Sequence, residues 1–416
     1  MVVDGEFAKF SVKAGFFERR AVSRGAINLL YRRLPSLIPP KIGSLAETMS
    51  HSKASLTAPS PDRRRFLRGG CALLATGTLA APAKLWAEPQ DLQEKSGERA
   101  PAELVNKPTQ AAIQRGLLHL TRRQITAGGN RGAFGTSGYS CGVAVTSLAG
   151  LAMMCSGSSP GQGPYGKHIE RCLDFVLSKV RQTGYIARND SLANENMYGH
   201  GFAMLFLSEA YGMTQKTEIG EKLRRAVRLT VKCQNERGGW RYAPIQEQRA
   251  DLSITVCQIM GLRAARDAGI HVPDETRAKC IEYVKKSQNS NGSFRYQMSG
   301  GHSTFAMTAA GVTSLYSAGI YDSPQVKKGL EHLILHKPGG AGIGGHYFYG
   351  HYYAVQAMWH AGGQYWNQWY PAIRDELLSK QGNDGSWTGS SSPEYGTSMA
   401  CIILQMPLNF LPVFSP

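Results

Sequence analysis

Three segments of the chain repeat one pattern: QNERGGW at 234–240, QNSNGSF at 288–294 and QGNDGSW at 381–387. Each segment has a glutamine, three mostly polar residues, a glycine, any residue and an aromatic ring. The copies begin 54 and 93 residues apart, so they fit one unit and about two units of a repeat near 50 residues. Self-similarity at that period is typical of stacked or closed helical hairpins. The pattern residues, which we expect to be structural, are Gln234, Gly238, Trp240, Gln288, Gly292, Phe294, Gln381, Gly385 and Trp387.

Two kinds of helix alternate around these segments. The first kind is amphipathic and is predicted over residues 110–124, 168–180, 219–234, 275–288, 325–337 and 372–381. The second kind is rich in Ala, Gly, Ser and Thr, and is predicted over residues 141–154, 200–211, 253–265, 304–318, 351–361 and 396–405. A helix that is apolar on nearly all sides is a buried helix. The sequence therefore predicts an all-α fold with six outer and six inner helices.

The last predicted helix favours a closed α/α toroid over an open solenoid. An open stack of repeats needs a polar capping helix at each end, whereas the segment 396–405 is apolar. Small residues would let the inner helices approach one another, and the glutamine and aromatic ring of each turn would fasten neighbouring units. We therefore predict an (α/α)6 barrel over residues 108–416.

The segment before this domain carries a pattern typical of export. DRRRFLR at 62–68 is followed by an uncharged stretch at 69–83 and then by small-residue sites. Paired arginines before such a stretch resemble a twin-arginine signal. The residues that carry the pattern are Arg63, Arg64, Phe66 and Leu67.

We expect residues 49–87 to be this signal and residues 88–107 to be a linker. Residues 1–48 are then an extra leader or precede the true start, because Met49 opens a more ordinary signal. The predicted mature protein is exported to the periplasm or the extracellular space. No apolar run reaches the roughly 18 residues that suggest a transmembrane helix.

The net charge of +17 does not indicate a nucleic-acid partner. Residues 1–87 hold 14 basic and 5 acidic residues, and the remainder holds 33 and 25, so half of the excess belongs to the leader. The rest is spread over helices without a concentrated patch, which is typical of solvated helix faces. The seven later cysteines are widely spaced, without a C-x-x-C pair, and are predicted to be core residues. The sequence leaves the oligomeric state open.

The repeat resembles that of the prenyltransferase and squalene–oxidosqualene cyclase family, over about residues 108–407. The resemblance implies the toroid. It is less specific for an activity, because protein prenyltransferases and complement-type thioester domains use the same toroid.

Acid-initiated cyclisation is the first activity that the resemblance implies. Class II terpene cyclases protonate an alkene with the middle acid of an Asp-x-Asp-Asp motif, which must be a protonated carboxylic acid in a dry pocket. The matching segment is DLSIT at 251–255, where Asp251 keeps the first acid but Ser253 occupies the proton-donating position. A serine hydroxyl is too weak an acid, so the usual mechanism is disfavoured. The alternative role for Asp251 is an N-cap of the following helix.

The other family chemistries lack their key residues. His351 resembles a zinc ligand of protein prenyltransferases, but the segment that should supply Asp and Cys reads His302-Ser303-Thr304. Thioester domains need Cys-Gly-Glu-Gln, and Ala144 stands in place of that glutamine after Cys141. We therefore expect no metal and no cofactor. A site built from His200, His302 and His351 stays open, although such histidines more often make hydrogen bonds.

Polar and aromatic residues recur at the predicted starts of the inner helices. If these helices run parallel, their N-termini meet at one mouth of the barrel and favour an anionic group. The alternative is that the aromatics are core packing and the polar residues are helix caps. Candidate catalytic residues are Asp251, His302, His351 and Glu394, and candidate ligand-binding residues are Tyr198, His200, Tyr349, Tyr352 and Tyr395.

Three functional classes follow from these patterns. The first, which we favour, is an exported protein that binds an isoprenoid-like apolar molecule with an anionic head, as a divergent cyclase or transferase or as a carrier. The second is a carbohydrate-active enzyme, which would need paired carboxylates, and Asp251 and Glu394 are the candidates. The third is a binding scaffold for another protein, with a filled centre and an apolar outer patch.

Overall fold

The structure is a computed structural model that describes residues 101–135, 142–188, 196–338, 345–389 and 391–415. The predicted signal, with Arg63, Arg64, Phe66 and Leu67, lies outside the described residues, as do Met49 and Cys141. Among the described helices, none is both long and apolar enough to cross a membrane.

In the described part of the chain, amphipathic outer helices alternate with buried inner helices. In chain order the helices are α1 (Pro101–Leu104), α2 (Lys107–Arg123), α3 (Val143–Met154), α4 (Gly166–Ser178), α5 (Met197–Tyr211), α6 (Glu218–Cys233), α7 (Leu252–Asp267), α8 (Asp274–Lys286), α9 (Phe305–Ser317), α10 (Pro324–Ile334), α11 (Tyr347–Ala361), α12 (Gly363–Lys380) and α13 (Pro393–Gln405). The even-numbered helices from α2 to α12 are the outer ones, and the odd-numbered helices from α3 to α13 are the inner ones. Between α8 and α9, β1 (Arg295–Gln297) and β2 (Gly300–Ser303) form an antiparallel hairpin.

The inner helices form a closed ring. Each one packs against the inner helix of the next unit, and α13 packs against both α3 and α2. The inner helices are buried because they carry almost no charge: α9 is buried over its whole length, and α7 from Leu252 to Ala265. Small residues allow the close contacts, since a Cβ on Gly201 of α5 would lie 2.9 Å from the Cβ of Cys257 on α7. The predicted all-α toroid is confirmed.

The glutamine of each motif joins two outer helices. The Gln234 side-chain amide donates to the carbonyl of Gly238 at 2.9 Å and to that of Thr276 in α8 at 2.8 Å. Gln288 makes the same pair of bonds to Gly292 and to Gln325 of α10. Gln381 bonds to Gly385 and to Ala112 of α2, at 2.9 Å each. The last bond links the sixth unit to the first and so closes the outer ring.

The aromatic residue of each motif is buried. Trp240, Phe294 and Trp387 are at most 1% exposed. The indole nitrogen of Trp240 donates to the Thr230 carbonyl at 2.7 Å, and that of Trp387 donates to the Leu377 carbonyl at 2.8 Å. Each indole therefore fastens its motif loop to the outer helix that precedes it.

Some predicted boundaries were wrong. Helix α12 begins at Gly363 rather than at residue 372 and contains Pro371. The buried rings of Trp366, Trp369 and Tyr370 stabilise this additional segment, and such burial outweighs the helix-breaking tendency of one proline. The inner helices α5, α11 and α13 also begin three or four residues earlier than predicted.

The described cysteines agree with their predicted role in the core. Cys155, Cys172, Cys233, Cys257, Cys280 and Cys401 are free and buried.

Candidate functional site

The inner helices run parallel, so their N-termini lie at one end of the barrel. Near their starts, the Tyr349 hydroxyl of α11 donates to the Ser253 carbonyl of α7 at 2.7 Å. Near their ends, the Gln405 amide of α13 donates to the Ala152 carbonyl of α3 at 3.0 Å. We call the end that holds Tyr198, Asp251, Ser253 and Tyr349 the mouth.

Five tyrosines form a cluster that begins at the mouth. The ring centroid of Tyr198 is 6.0 Å from that of Tyr242 and 6.2 Å from that of Tyr349. The centroids of Tyr349 and Tyr353 are 4.8 Å apart, and the hydroxyls of Tyr242 and Tyr296 are hydrogen bonded. Tyr198, Tyr242 and Tyr296 are half-buried, whereas Tyr349 and Tyr353 are buried. This tyrosine cluster thus runs from the surface toward the barrel axis.

Tyr242 and Tyr296 are members of the cluster that sequence reasoning missed. Each lies two residues after the aromatic residue of a motif, Trp240 and Phe294 respectively. Their shared position in the repeat is a signal that could have identified them.

The tyrosines of α11 fill the axis below the mouth. The ring centroid of Tyr352 is 6.0 Å from that of Phe202 on α5, which is opposite α11 in the ring. The Tyr353 hydroxyl lies 3.1 Å from the Cys257 sulfur of α7. Tyr352 and Tyr353 are 0% exposed, and burial raises the pKa of both hydroxyls well above the ordinary value. For these two residues the geometry is that of core packing.

Asp251 is buried at the mouth, with each carboxylate oxygen held by a donor. Gln297 donates to Oδ1 at 2.6 Å, and the Arg241 Nε lies 3.2 Å from Oδ2. Burial raises the pKa of Asp251, and the contacts with Gln297 and Arg241 partly offset that rise. Asp251 occupies the N-cap position of α7, but its side chain makes no cap hydrogen bond. Asp251 therefore lies at the predicted N-cap position, but its carboxylate reaches sideways to Arg241 and to Gln297 of the hairpin rather than to the backbone N–H groups of α7.

His200 is 0% exposed and is hydrogen bonded both to its own repeat unit and to the outer helix of the next unit. Its Nδ1 accepts the Ile186 backbone N–H at 3.2 Å, and its Nε2 lies 2.9 Å from the Thr230 hydroxyl of α6. The Thr230 hydroxyl donates onward to the Ala226 carbonyl, so the imidazole is neutral with its proton on Nε2. Burial lowers the pKa of His200 to about 4.

His200 occupies a position in the repeat from which a side chain of the inner helix accepts a backbone N–H of the preceding loop. In four other units a threonine hydroxyl of the inner helix accepts the backbone N–H of the motif's aromatic residue. The donor and acceptor pairs are Phe134 and Thr146, Trp240 and Thr255, Phe294 and Thr308, and Trp387 and Thr397. His200 performs the same task for Ile186 in the second unit.

His351 lies away from His200, in an aromatic enclosure. Its ring centroid is 5.1 Å from that of Phe305, 4.5 Å from Tyr347 and 5.9 Å from Trp369. Neither ring nitrogen has a hydrogen-bond partner in the part of the chain that the structure describes. Burial lowers the pKa of His351 to about 3, so the ring is neutral at physiological pH.

The remaining candidates occupy separate places. His302 is exposed on β2. Glu394 is buried, and its Oε1 lies 2.9 Å from the Arg123 Nε. Burial opposes ionisation of Glu394, but its backbone N–H and Arg123 bring the pKa below the ordinary value. Tyr395 is half-buried in the first turn of α13.

The structure does not bring the three histidines together, and no group of three or more His, Cys, Asp or Glu within the described ranges could hold a metal ion.

Neither a protein-family model nor a curated protein sequence matches this chain. Solved structures do resemble it. A variant of the type II terpene cyclase MstE from Scytonema, in complex with geranylgeranyl dihydroxybenzoate, has a TM-score of 0.51 at 13% identity, over 72% of this chain and 97% of that one. Cellobiose 2-epimerase from Bacillus thermoamylovorans has a TM-score of 0.52 at 11% identity, over 72% and 99%. An α-1,6-mannanase of Salegentibacter, in complex with α-1,6-mannotriose, has a TM-score of 0.51 at 9% identity, over 72% and 99%. At these identities the similarity shows a shared α/α-toroid fold.

Proposed function

We propose that this protein binds an apolar, isoprenoid-like molecule with an anionic head at the mouth, without acid-initiated cyclisation. The observation that carries the proposal is the tyrosine cluster, whose rings reach from the half-buried Tyr198 and Tyr242 to the axis.

The cluster offers ring faces rather than free hydroxyls. Tyr242 and Tyr296 bond to each other, Tyr349 donates to the Ser253 carbonyl, and Tyr353 bonds to Cys257. Tyrosine rings combine a large apolar area with an electron-rich face. Such a surface suits an unsaturated hydrocarbon chain better than a densely hydroxylated ligand.

The helix starts at the mouth favour an anionic head. Among the described inner helices, α5, α9 and α13 are capped by the side chains of Asn196, Thr304 and Ser392. Helices α3, α7 and α11 have no side-chain cap bond. The helix dipoles at these starts attract a carboxylate or phosphate.

The residues of α7 argue against proton-initiated chemistry. Ser253 is buried and carries no acid, and both oxygens of Asp251 are occupied by donors. A carboxylate held by an arginine and an amide is an acceptor rather than a proton donor. The ligand bound to the MstE variant, an isoprenoid on a dihydroxybenzoate head, supports the proposed ligand class and provides a probe.

The test is titration of the exported chain with geranylgeranyl dihydroxybenzoate, followed by native mass spectrometry. We expect one bound molecule, no cyclised product, and about tenfold or greater loss of affinity in Tyr198→Ala, as for a central aromatic contact. The matched control is Tyr211→Ala, because Tyr211 ends the same helix at the opposite end of the barrel. Absence of binding, or equal affinity in Tyr198→Ala, would refute the proposal.

A carbohydrate-active enzyme is the second candidate, favoured by the two buried acids at the starts of α7 and α13, Asp251 and Glu394. Arg241 and Gln297 hold the first acid and Arg123 holds the second. Titration with cellobiose and α-1,6-mannotriose discriminates the classes: turnover that is lost in Asp251→Asn and in Glu394→Gln would establish this candidate. The filled axis also fits a binding scaffold, for which neither kind of probe would bind.

A further inference from the structure

The β1–β2 hairpin lies against the mouth between the motif residue Phe294 and α9. Strand β1 packs against α7 and α9. Its Tyr296 hydroxyl bonds to Tyr242, so the hairpin contributes a member of the tyrosine cluster. The next residue, Gln297, donates to Asp251 at 2.6 Å.

We propose that this hairpin is the cover of the ligand site and that Asp251 is its latch, a positioning residue rather than a catalytic one. This inference rests on the proposed function for the identity of what is covered. The attachment of the hairpin to the barrel rests on its own contacts, so it can be tested without a ligand.

The hairpin is too small to hold its position alone. Its strands have three and four residues, and their register is irregular between Arg295 and Gln297. An isolated two-stranded hairpin is marginally stable at best in water. Its far strand is largely exposed, from Gly301 to Ser303. Its placement therefore depends on contacts with the barrel, which are the bonds of Arg295 to the Ser287 and Lys286 carbonyls and the side-chain bonds of Tyr296 and Gln297.

Asp251 is built to hold the hairpin. The carboxylate is 1% exposed, and its other oxygen pairs with Arg241, which in turn pairs with Glu247 at 3.2 Å. This chain of charges fixes the carboxylate orientation, and an amide that donates to a carboxylate makes a charge-assisted bond. When Gln297 and Tyr296 leave their partners, Tyr296 is withdrawn from its contact with Tyr242 at the mouth.

The experiment is hydrogen exchange of the hairpin amides, read by mass spectrometry on the full chain. Gln297→Glu keeps the shape of the side chain but sets a second carboxylate against Asp251. We expect hairpin exchange to rise roughly tenfold or more, as for loss of a bond to a charged group. The double variant Asp251→Asn with Gln297→Glu exchanges the amide and carboxylate and should restore protection. The matched control is Ser299→Ala, which alters an exposed side chain in the turn of the same hairpin.

A second readout is the release rate of geranylgeranyl dihydroxybenzoate. We expect release to accelerate in Gln297→Glu, to return to the rate of the unaltered protein in the double variant, and to stay unchanged in Ser299→Ala. Unchanged hairpin exchange in Gln297→Glu, or no restoration in the double variant, would overturn the latch. Increased exchange with an unchanged release rate would overturn the cover. Failure of the unaltered protein to bind the probe would count against the proposed function, while hairpin exchange would still decide the latch.

Discussion

At the residue scale, His200 shows that polar residues can recur at the repeat period for a structural reason as well as for a functional one. His200, His302 and His351 recur near the starts of inner helices, and the sequence offered them as site candidates. The structure places His200 at the register where four other units have a locking threonine. Recurrence at a repeat period therefore reflects a repeated backbone joint as readily as a shared pocket.

His200→Ala should lower the free energy of unfolding by about 2–4 kcal/mol, because it removes two buried hydrogen bonds and leaves a cavity. His200→Thr should recover part of this loss, since a threonine hydroxyl can accept the Ile186 N–H. The pKa of His200 is about 4 in the folded protein against an ordinary 6.5. Its contribution is therefore present above pH 6.5 and lost as the pH falls toward 4, by roughly 3 kcal/mol in all.

The measurement is urea unfolding of the unaltered protein and both variants between pH 7 and pH 4. His200→Thr acts as the pH control because it keeps a hydroxyl acceptor without a titrating group. The stability difference between the unaltered protein and His200→Thr should shrink as the pH falls. A constant difference would show that His200 is not the neutral lock that its contacts indicate.

Asp251 shows what sequence reasoning could and could not assign to a single residue. Its acid and its position before an inner helix were visible in the sequence. Its partners were not, because Arg241 lies in a loop 10 residues away and Gln297 lies on β1, 46 residues away. Only the fold brings these side chains to one carboxylate.

At the element scale, the motif loop works because its glycine lies against the next outer helix. Gly238 has φ +94°, and a Cβ there would lie 2.0 Å from the Lys279 carbonyl oxygen of α8. Gly292 and Gly385 repeat this arrangement against α10 and α2. The glycine is required by contact as well as by backbone conformation.

Gly238→Ala should destabilise the protein by about 3–5 kcal/mol, combining left-handed strain with a backbone clash. Gly128→Ala is the matched control, because Gly128 has φ +74° and nothing within 4 Å of the added Cβ. It should cost only about 1–2 kcal/mol. Thermal and urea unfolding of both variants provide the comparison, and equal losses would mean that the contact with α8 contributes nothing.

A fourth glutamine makes the same pair of bonds but lies outside the three motif segments. Gln124 donates to the Gly132 carbonyl at 3.1 Å and to the His168 carbonyl of α4 at 2.9 Å. Eight residues separate Gln124 from Gly132, against four in the other copies, so a search at fixed spacing does not find it. The second unit keeps the glycine, Gly184, but has Val180 in place of the glutamine. A longer loop hides the first unit from the sequence pattern, although its glutamine makes the same two bonds. A substitution hides the second unit, although its glycine is kept.

At the scale of the whole molecule, closure makes the first and last units neighbours. Gln381→Ala should therefore cost about as much as Gln288→Ala, roughly 1–3 kcal/mol each, because each removes two bonds between neighbouring outer helices. Urea unfolding midpoints of the two variants test this equality. If Gln381→Ala left the unfolding midpoint unchanged while Gln288→Ala lowered it, the bond between Gln381 and α2 would not stabilise the closed ring.

The sequence by itself determined the all-α class, the alternation of inner and outer helices, and the closed ring. Those features depend on periodic patterns of burial and on motif spacing, which a chain carries along its length. Tertiary structure alone decided that Tyr352 and Tyr353 fill the axis and that Asp251 bonds to Gln297 of the hairpin. These facts depend on which side chains from distant units meet, and the one-dimensional pattern does not specify the direction in which a side chain leaves its helix or loop.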